Sequence, residues 1–109
     1  MQEFIVVYVT VGSAEEGKRL AHALVEERLA ACVNRLASVQ SVYRWQGKVE
    51  QSEEELLVIK TRRELFARLE KRVRVLHSYS VPEIIALPVI EGSEGYLAWL
   101  SEQVSGGAN

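Results

Sequence analysis

Ala31-Cys32-Val33-Asn34-Arg35-Leu36-Ala37-Ser38-Val39-Gln40-Ser41-Val42-Tyr43-Arg44-Trp45 admits two readings, and the choice between them decides the fold. Val33, Leu36, Val39 and Val42 recur every third residue, a spacing close to the helical period. Against a helix, no cap precedes them, valine, serine and tyrosine are frequent, and Trp45-Gln46-Gly47-Lys48 follows as a turn. A strand with a bulge or bend near 37–41 accounts for both facts, because an extra residue shifts which side chains face inward. The return strand then runs from Val49 to Thr61, interrupted by Glu53-Glu54-Glu55, and its second part, Leu56 to Ile59, is apolar on both faces.

Outward from this hairpin the remaining elements follow. Phe4 to Val11 is a short apolar run rich in Val, Ile and Tyr, which favours a strand buried on both faces. Ser13 and Glu16 have capping-box spacing, in which each side chain satisfies the other residue's backbone N–H. The helix they open places Leu20, Ala21, Leu24 and Val25 on one stripe and sends Glu15, Lys18, Arg19, Glu26 and Glu27 outward. Leu65, Phe66, Leu69, Val73 and Leu76 mark a second amphipathic helix, and His77 to Pro82 a loop. Glu83 to Ile90 reads as the fourth strand, with Pro88 pointing to an edge position. After a turn at 92–95, Tyr96, Leu97, Trp99, Leu100 and Val104 form a short C-terminal helix, and 105–109 a loose tail.

The expected architecture is therefore α+β: a ferredoxin-like βαββαβ sandwich over residues 1–104, with a long hairpin between the second and third strands and an extra C-terminal helix. In its usual strand order the first and third strands are central, matching the two fully apolar runs. Fifteen residues of strand would reach roughly 50 Å, far beyond the width of so small a domain. Open strand edges template pairing with other chains, so the projecting hairpin predicts self-association.

Composition narrows the function classes. The chain has 109 residues, enough for one domain, with 48% hydrophobic and 26% charged residues and a net charge of −2. No global field draws it to nucleic acid or an anionic membrane. The single cysteine, Cys32, excludes an intrachain disulfide and reads as a small buried hydrophobe. Met1-Gln2-Glu3-Phe4 lacks the order of a signal peptide, and no apolar run approaches the length of a membrane span, so a cytoplasmic location is expected. His22 reads as a surface or boundary residue.

Chemistries common on this fold were tested in turn. The loop Thr10-Val11-Gly12-Ser13 lacks the paired cysteines of a metallochaperone and the arginine of an acylphosphatase. The third strand offers Leu56 to Ile59 where an RNA-recognition domain needs aromatics. Arg62, Arg63, Arg68, Lys71, Arg72 and Arg74 interleave with Glu64 and Glu70, which makes a solvated helix face. His77-Ser78-Tyr79-Ser80-Val81-Pro82-Glu83 differs, placing an imidazole, a phenol and a carboxylate in one short connection. Such a loop can bind a divalent cation or tie itself to the sheet by hydrogen bonds. No nucleophile or phosphate loop accompanies Glu83 and His77, so the chain is not expected to be an enzyme.

Several stretches together resemble the CutA divalent-cation tolerance family: 26–34, Tyr43 to Glu50, Lys60-Thr61, His77 to Glu83, Ala86 to Val89, and Tyr96 to Leu100. The resemblance runs through nearly the whole chain in order and spacing. It implies a homotrimer made by strand-edge pairing and a cytoplasmic role in tolerance of divalent metals such as copper. It also implies likeness to the trimeric PII signalling proteins, which bind small effectors between subunits. By that analogy Tyr43, Trp45, Glu50, Lys60, His77, Tyr79 and Glu83 are the candidates for an inter-subunit cleft binding a small molecule or metal ion. Two departures stand out. The family's usual His-Pro-Tyr is His77-Ser78-Tyr79 here. Copper ligation proposed for one family member uses a cysteine and two adjacent histidines, and the matching positions are Val9, Leu76 and His77, so only His77 is retained as a metal candidate.

Overall fold

Alternation is the first rule the structure obeys. The computed structural model describes residues 3–105. In β1 (Phe4–Val11), Ile5, Val7, Val9 and Val11 are buried while the residues between them are half-exposed. β3 (Lys48–Arg62) repeats the pattern, with Glu55, Leu57, Ile59 and Thr61 buried. The two strands pair antiparallel from Phe4↔Arg62 to Val11↔Glu55, so their buried residues share one face. The four strands run in the order β2-β3-β1-β4, where β2 is Cys32–Trp45 and β4 is Ile84–Pro88. β1 and β3 are thus central, and Pro88 ends an edge strand.

The buried face is covered by two helices, α1 (Ala14–Glu26) and α2 (Phe66–Leu76), which contribute Leu20, Leu24, Leu69 and Val73 to the core. A 3-10 turn at Arg63–Leu65 leads into α2. α1 stops in a Schellman motif. Arg28 takes φ 60°, its N–H donates to Val25 O and that of Leu29 to Leu24 O. A third helix, α3 (Glu94–Val104), packs Leu100 and Val104 against Ala31, Leu65 and Phe4. Arg28 Nη1 donates to Gln103 O and Arg62 Nη1 to Ser101 Oγ, fixing α3 to the body. Among the described residues, no helix is long and apolar enough to cross a membrane.

The hairpin is a strand pair throughout, and the bulge falls between Leu36 and Val39. Ser38 sits there at φ 60°. Before the bulge Cys32, Asn34 and Leu36 oppose Lys60, Val58 and Leu56. Beyond it Val39, Ser41, Tyr43 and Trp45 oppose Glu54, Ser52, Glu50 and Lys48. One extra residue therefore moves Tyr43 and Trp45 onto the face away from α1 and α2. At the tip, Gln46 and Gly47 both have positive φ, 49° and 81°, the geometry of a type I′ turn.

Several expectations need correcting. The acidic stretch does not interrupt β3, because its members alternate: Glu53 is exposed, Glu54 half-buried and Glu55 buried against Arg35. The fourth strand spans 84–88 instead of 83–90. Cys32 is half-buried, since the open sheet face that carries it is only partly covered. The apolar runs are covered on one face only within the chain. Val6, Tyr8, Leu56 and Val58 remain half-exposed, and Ile85 and Leu87 beside them are 51% and 41% exposed. The tail at 106–109 lies outside the described residues, while Ser105 is tied by its hydroxyl to Ser101 O.

Candidate functional site

The connection after α2 is held by three neighbours in sequence, each bonded to a different element: β1, α1 and β3. His77 is buried, with Nε2 2.8 Å from Thr10 O at the end of β1. A carbonyl can only accept, so Nε2 carries the proton and Nδ1 is the acceptor. Nδ1 accordingly accepts the Tyr79 N–H at 3.0 Å. Ser78 donates its N–H and its hydroxyl to the carboxylate of Glu16, at 2.7 and 3.1 Å.

Glu16 is the residue that sequence reasoning misplaced. Its N–H does donate to Ser13 Oγ, which is half of the expected capping box. Its carboxylate, however, runs to Ser78 and takes the Gly12 N–H in place of the Ser13 N–H. Burial alone would push this carboxyl's pKa up. Hydrogen bonds from the Ser78 backbone and hydroxyl and from the Gly12 N–H, together with the attraction His77 exerts in its cationic form, outweigh burial and hold it below the ordinary value. No local signal marks this partner, which lies 62 positions away.

Tyr79 packs against His77 with the rings tilted by 48° and their centroids 4.7 Å apart, and donates its hydroxyl to Glu54 Oε2 at 2.8 Å. Gly12 lies beneath the ring, where a Cβ would stand 3.2 Å from the Tyr79 hydroxyl oxygen. Burial, then the hydrogen bond and charge of Glu54, push the Tyr79 phenol up to about 12. At neutral pH it is a hydrogen-bond donor and not a base. Tyr43 also acts electrostatically on it, and its own hydroxyl donates to Ser52 Oγ at 3.3 Å.

The seven candidates divide into two groups within one chain. His77 and Tyr79 meet at the end of β1, with Glu83 exposed just before β4, while Tyr43, Glu50 and Trp45 continue along the projecting hairpin. Trp45 is 60% exposed beside the tip. Lys60 lies near the opposite end of β3, opposite Val6 and Cys32, and donates to Asn34 Oδ1. Ten residues of strand separate it from Glu50, about 33 Å. One chain cannot bring all seven to one ligand.

Among the described residues, no three His, Cys, Asp or Glu side chains converge as a ligand set. Both nitrogens of His77 are engaged internally, Val9 is wholly buried and apolar, and Leu76 is half-buried in the core. The donor set of one chain does not fit a divalent metal.

A four-stranded antiparallel sheet in this order, with two helices on one face and a long bulged hairpin, defines a ferredoxin-like α+β protein. Residues 5–103 match the family described as CutA1 divalent ion tolerance protein, and the chain belongs to that family. It is 54% identical over 97 residues to the divalent-cation tolerance protein CutA of Thermus thermophilus, covering 89% of this chain and 94% of that protein. It is 55% identical over 96 residues to the chloroplastic protein CutA of Arabidopsis thaliana, covering 88% of this chain but only 53% of the plant protein's length. The crystal structure of CutA1 from Oryza sativa superposes with a TM-score of 0.93 at 49% identity, over 97% of each chain.

Proposed function

We propose that this protein acts in tolerance of divalent metals such as copper as a non-enzymatic cytoplasmic homotrimer, binding metal weakly or indirectly. One observation carries the reading: the chain alone leaves an apolar sheet face and a hairpin uncovered. Residues 48–54 of β3 extend past the end of β1 and have only β2 for a partner. A two-stranded ribbon is marginal in water, and this one exposes Val42, Val49 and Trp45 at 66%, 67% and 60%. Association through these strands would bury them, at about 25 cal/mol per Å² of apolar surface. Light scattering at micromolar concentration should give three times the 12.3 kDa chain mass. A monomeric mass would overturn the reading.

A second reading rests on the Lys60 ammonium, half-buried on the open sheet face. A PII-like sensor would place a small anion or nucleotide there, between subunits. A thermal-shift screen separates the two, since a ligand that binds only the folded state raises the midpoint. Stabilisation by ATP or organic anions, lost in Lys60→Ala, supports the sensor. Stabilisation by copper or other divalent cations alone supports metal binding.

A further inference from the structure

Where a glutamate three residues after a serine cap would ordinarily turn back on its own helix, Glu16 instead spends both carboxylate oxygens on Ser78. We propose that Glu16 is the positioning residue of the candidate cleft, clamping Ser78 so that His77 and Tyr79 on either side of it keep a single arrangement. The proposal rests on the reading of His77 and Tyr79 as cleft residues.

The geometry is that of a clamp. Glu16 is 5% exposed, so its charge needs donors, and it has them in the Ser78 N–H, the Ser78 hydroxyl and the Gly12 N–H. Ser78 itself is exposed, so its two bonds to Glu16 are what hold it against the body of the protein. Fixing Ser78 fixes its neighbours. The His77 ring bridges Thr10 O and the Tyr79 N–H, and that bridge exists only in the tautomer protonated at Nε2. Tyr79 then has its ring set over Gly12 and its hydroxyl on Glu54, which joins the connection to the base of the hairpin.

Proline would stiffen the same position by a different route. His77 has φ −79° and ψ 143°, the conformation a following proline requires. Proline at 78 would abolish both donors to Glu16 while restricting the backbone covalently. Serine keeps the backbone free, and the buried carboxylate restrains it instead.

Long-range ¹H–¹⁵N spectra of the imidazoles and amide hydrogen exchange test this directly. In the wild-type protein His77 should show the Nε2–H tautomer alone, with exposed His22 as the internal reference. Glu16→Ala should mix the His77 tautomers and speed exchange at Ser78 and Tyr79 by about tenfold or more relative to Val7 and Ile59. Glu16→Gln keeps an acceptor oxygen for the Ser78 N–H and should stay within about threefold of wild type. Ser78→Pro placed in the Glu16→Ala background should restore the single tautomer. Should Glu16→Ala not fold, Ser78→Ala removes one of the two bonds and should speed exchange at Tyr79 about two- to threefold.

Mixed tautomers in the wild type, unchanged exchange at Ser78 and Tyr79, or a rise shared equally by Val7 and Ile59 would each overturn the proposal. Neither readout uses a ligand. Failure of copper chloride and ATP to stabilise the protein would count against the cleft and leave the role of Glu16 standing.

Discussion

At the scale of single residues, close approach and buried charge decide what each position tolerates. Gly17 is the fourth residue of α1, within the helix, where alanine would ordinarily add about 1 kcal/mol of helix stability. A Cβ there would stand 1.8 Å from Glu55 Oε1. Glu55 cannot swing away freely, because its two oxygens are held by Arg35 Nε and Nη2 at 2.9 and 3.2 Å. Gly17→Ala should therefore destabilise by about 1–3 kcal/mol, the usual range for overpacking. A urea midpoint raised instead of lowered would contradict this. Glu16 carries a pH dependence of definite sign. Its folded-state carboxyl lies below the ordinary value of 4.5, so the ionised form favours the fold. That stabilisation is complete above pH 4.5 and is lost as pH falls through the lower folded value. Glu16→Gln removes this component, so its stability should decline less than wild type between pH 6 and pH 3. Parallel declines in the two proteins would refute the assignment.

Among the elements, the hairpin depends on a single inserted residue. Its strands are regular on both sides of the bulge, and the pairing changes by one between Leu36 and Val39. Deleting Ser38 removes the extra residue and the φ of 60° it adopts. Ala37 should then oppose Glu55 alone, and Val39 to Trp45 should keep their partners and their faces. Tyr43 would keep its bond to Ser52, and Val42 and Arg44 would stay on the opposite face. Nuclear Overhauser contacts between the Tyr43 ring and Ser52 should persist in the deletion variant, and their loss would disprove the placement of the extra residue. The two ends of α1 show how unevenly elements announce themselves. The Ser13 cap is a local pattern and was readable. The Schellman stop is made by Arg28 in a left-handed conformation where glycine is usual, so composition concealed it.

For the whole molecule, the governing fact is a sheet with only one face covered. The long dimension of 44 Å exceeds the others, 26 and 22 Å, because the hairpin projects. Ile85 and Leu87, on β4, share the open face with Tyr8 and Val6. If copies meet there, Ile85→Asp places an unpaired charge in an apolar contact and should lower the assembled mass. An unchanged mass with native circular dichroism would show that this face stays open.

Periodicity and turn chemistry belong to the sequence, and they were enough for the order of strands and helices, the central strands, the proline at the edge and the presence of a bulge. Each of these depends on neighbours within a few residues or on the count of apolar runs. The family resemblance drew on the same linear order. What the chain could not disclose alone were contacts between residues distant in sequence. Glu16 with Ser78, Tyr79 with Glu54 and Arg35 with Glu55 exist only once strands and helices are packed, because a side chain's partner is set by which elements become neighbours. Tertiary structure likewise decided that β1 and β3 have one covered face. Hydrophobic alternation records how apolar each face is, and only packing determines whether anything lies against it.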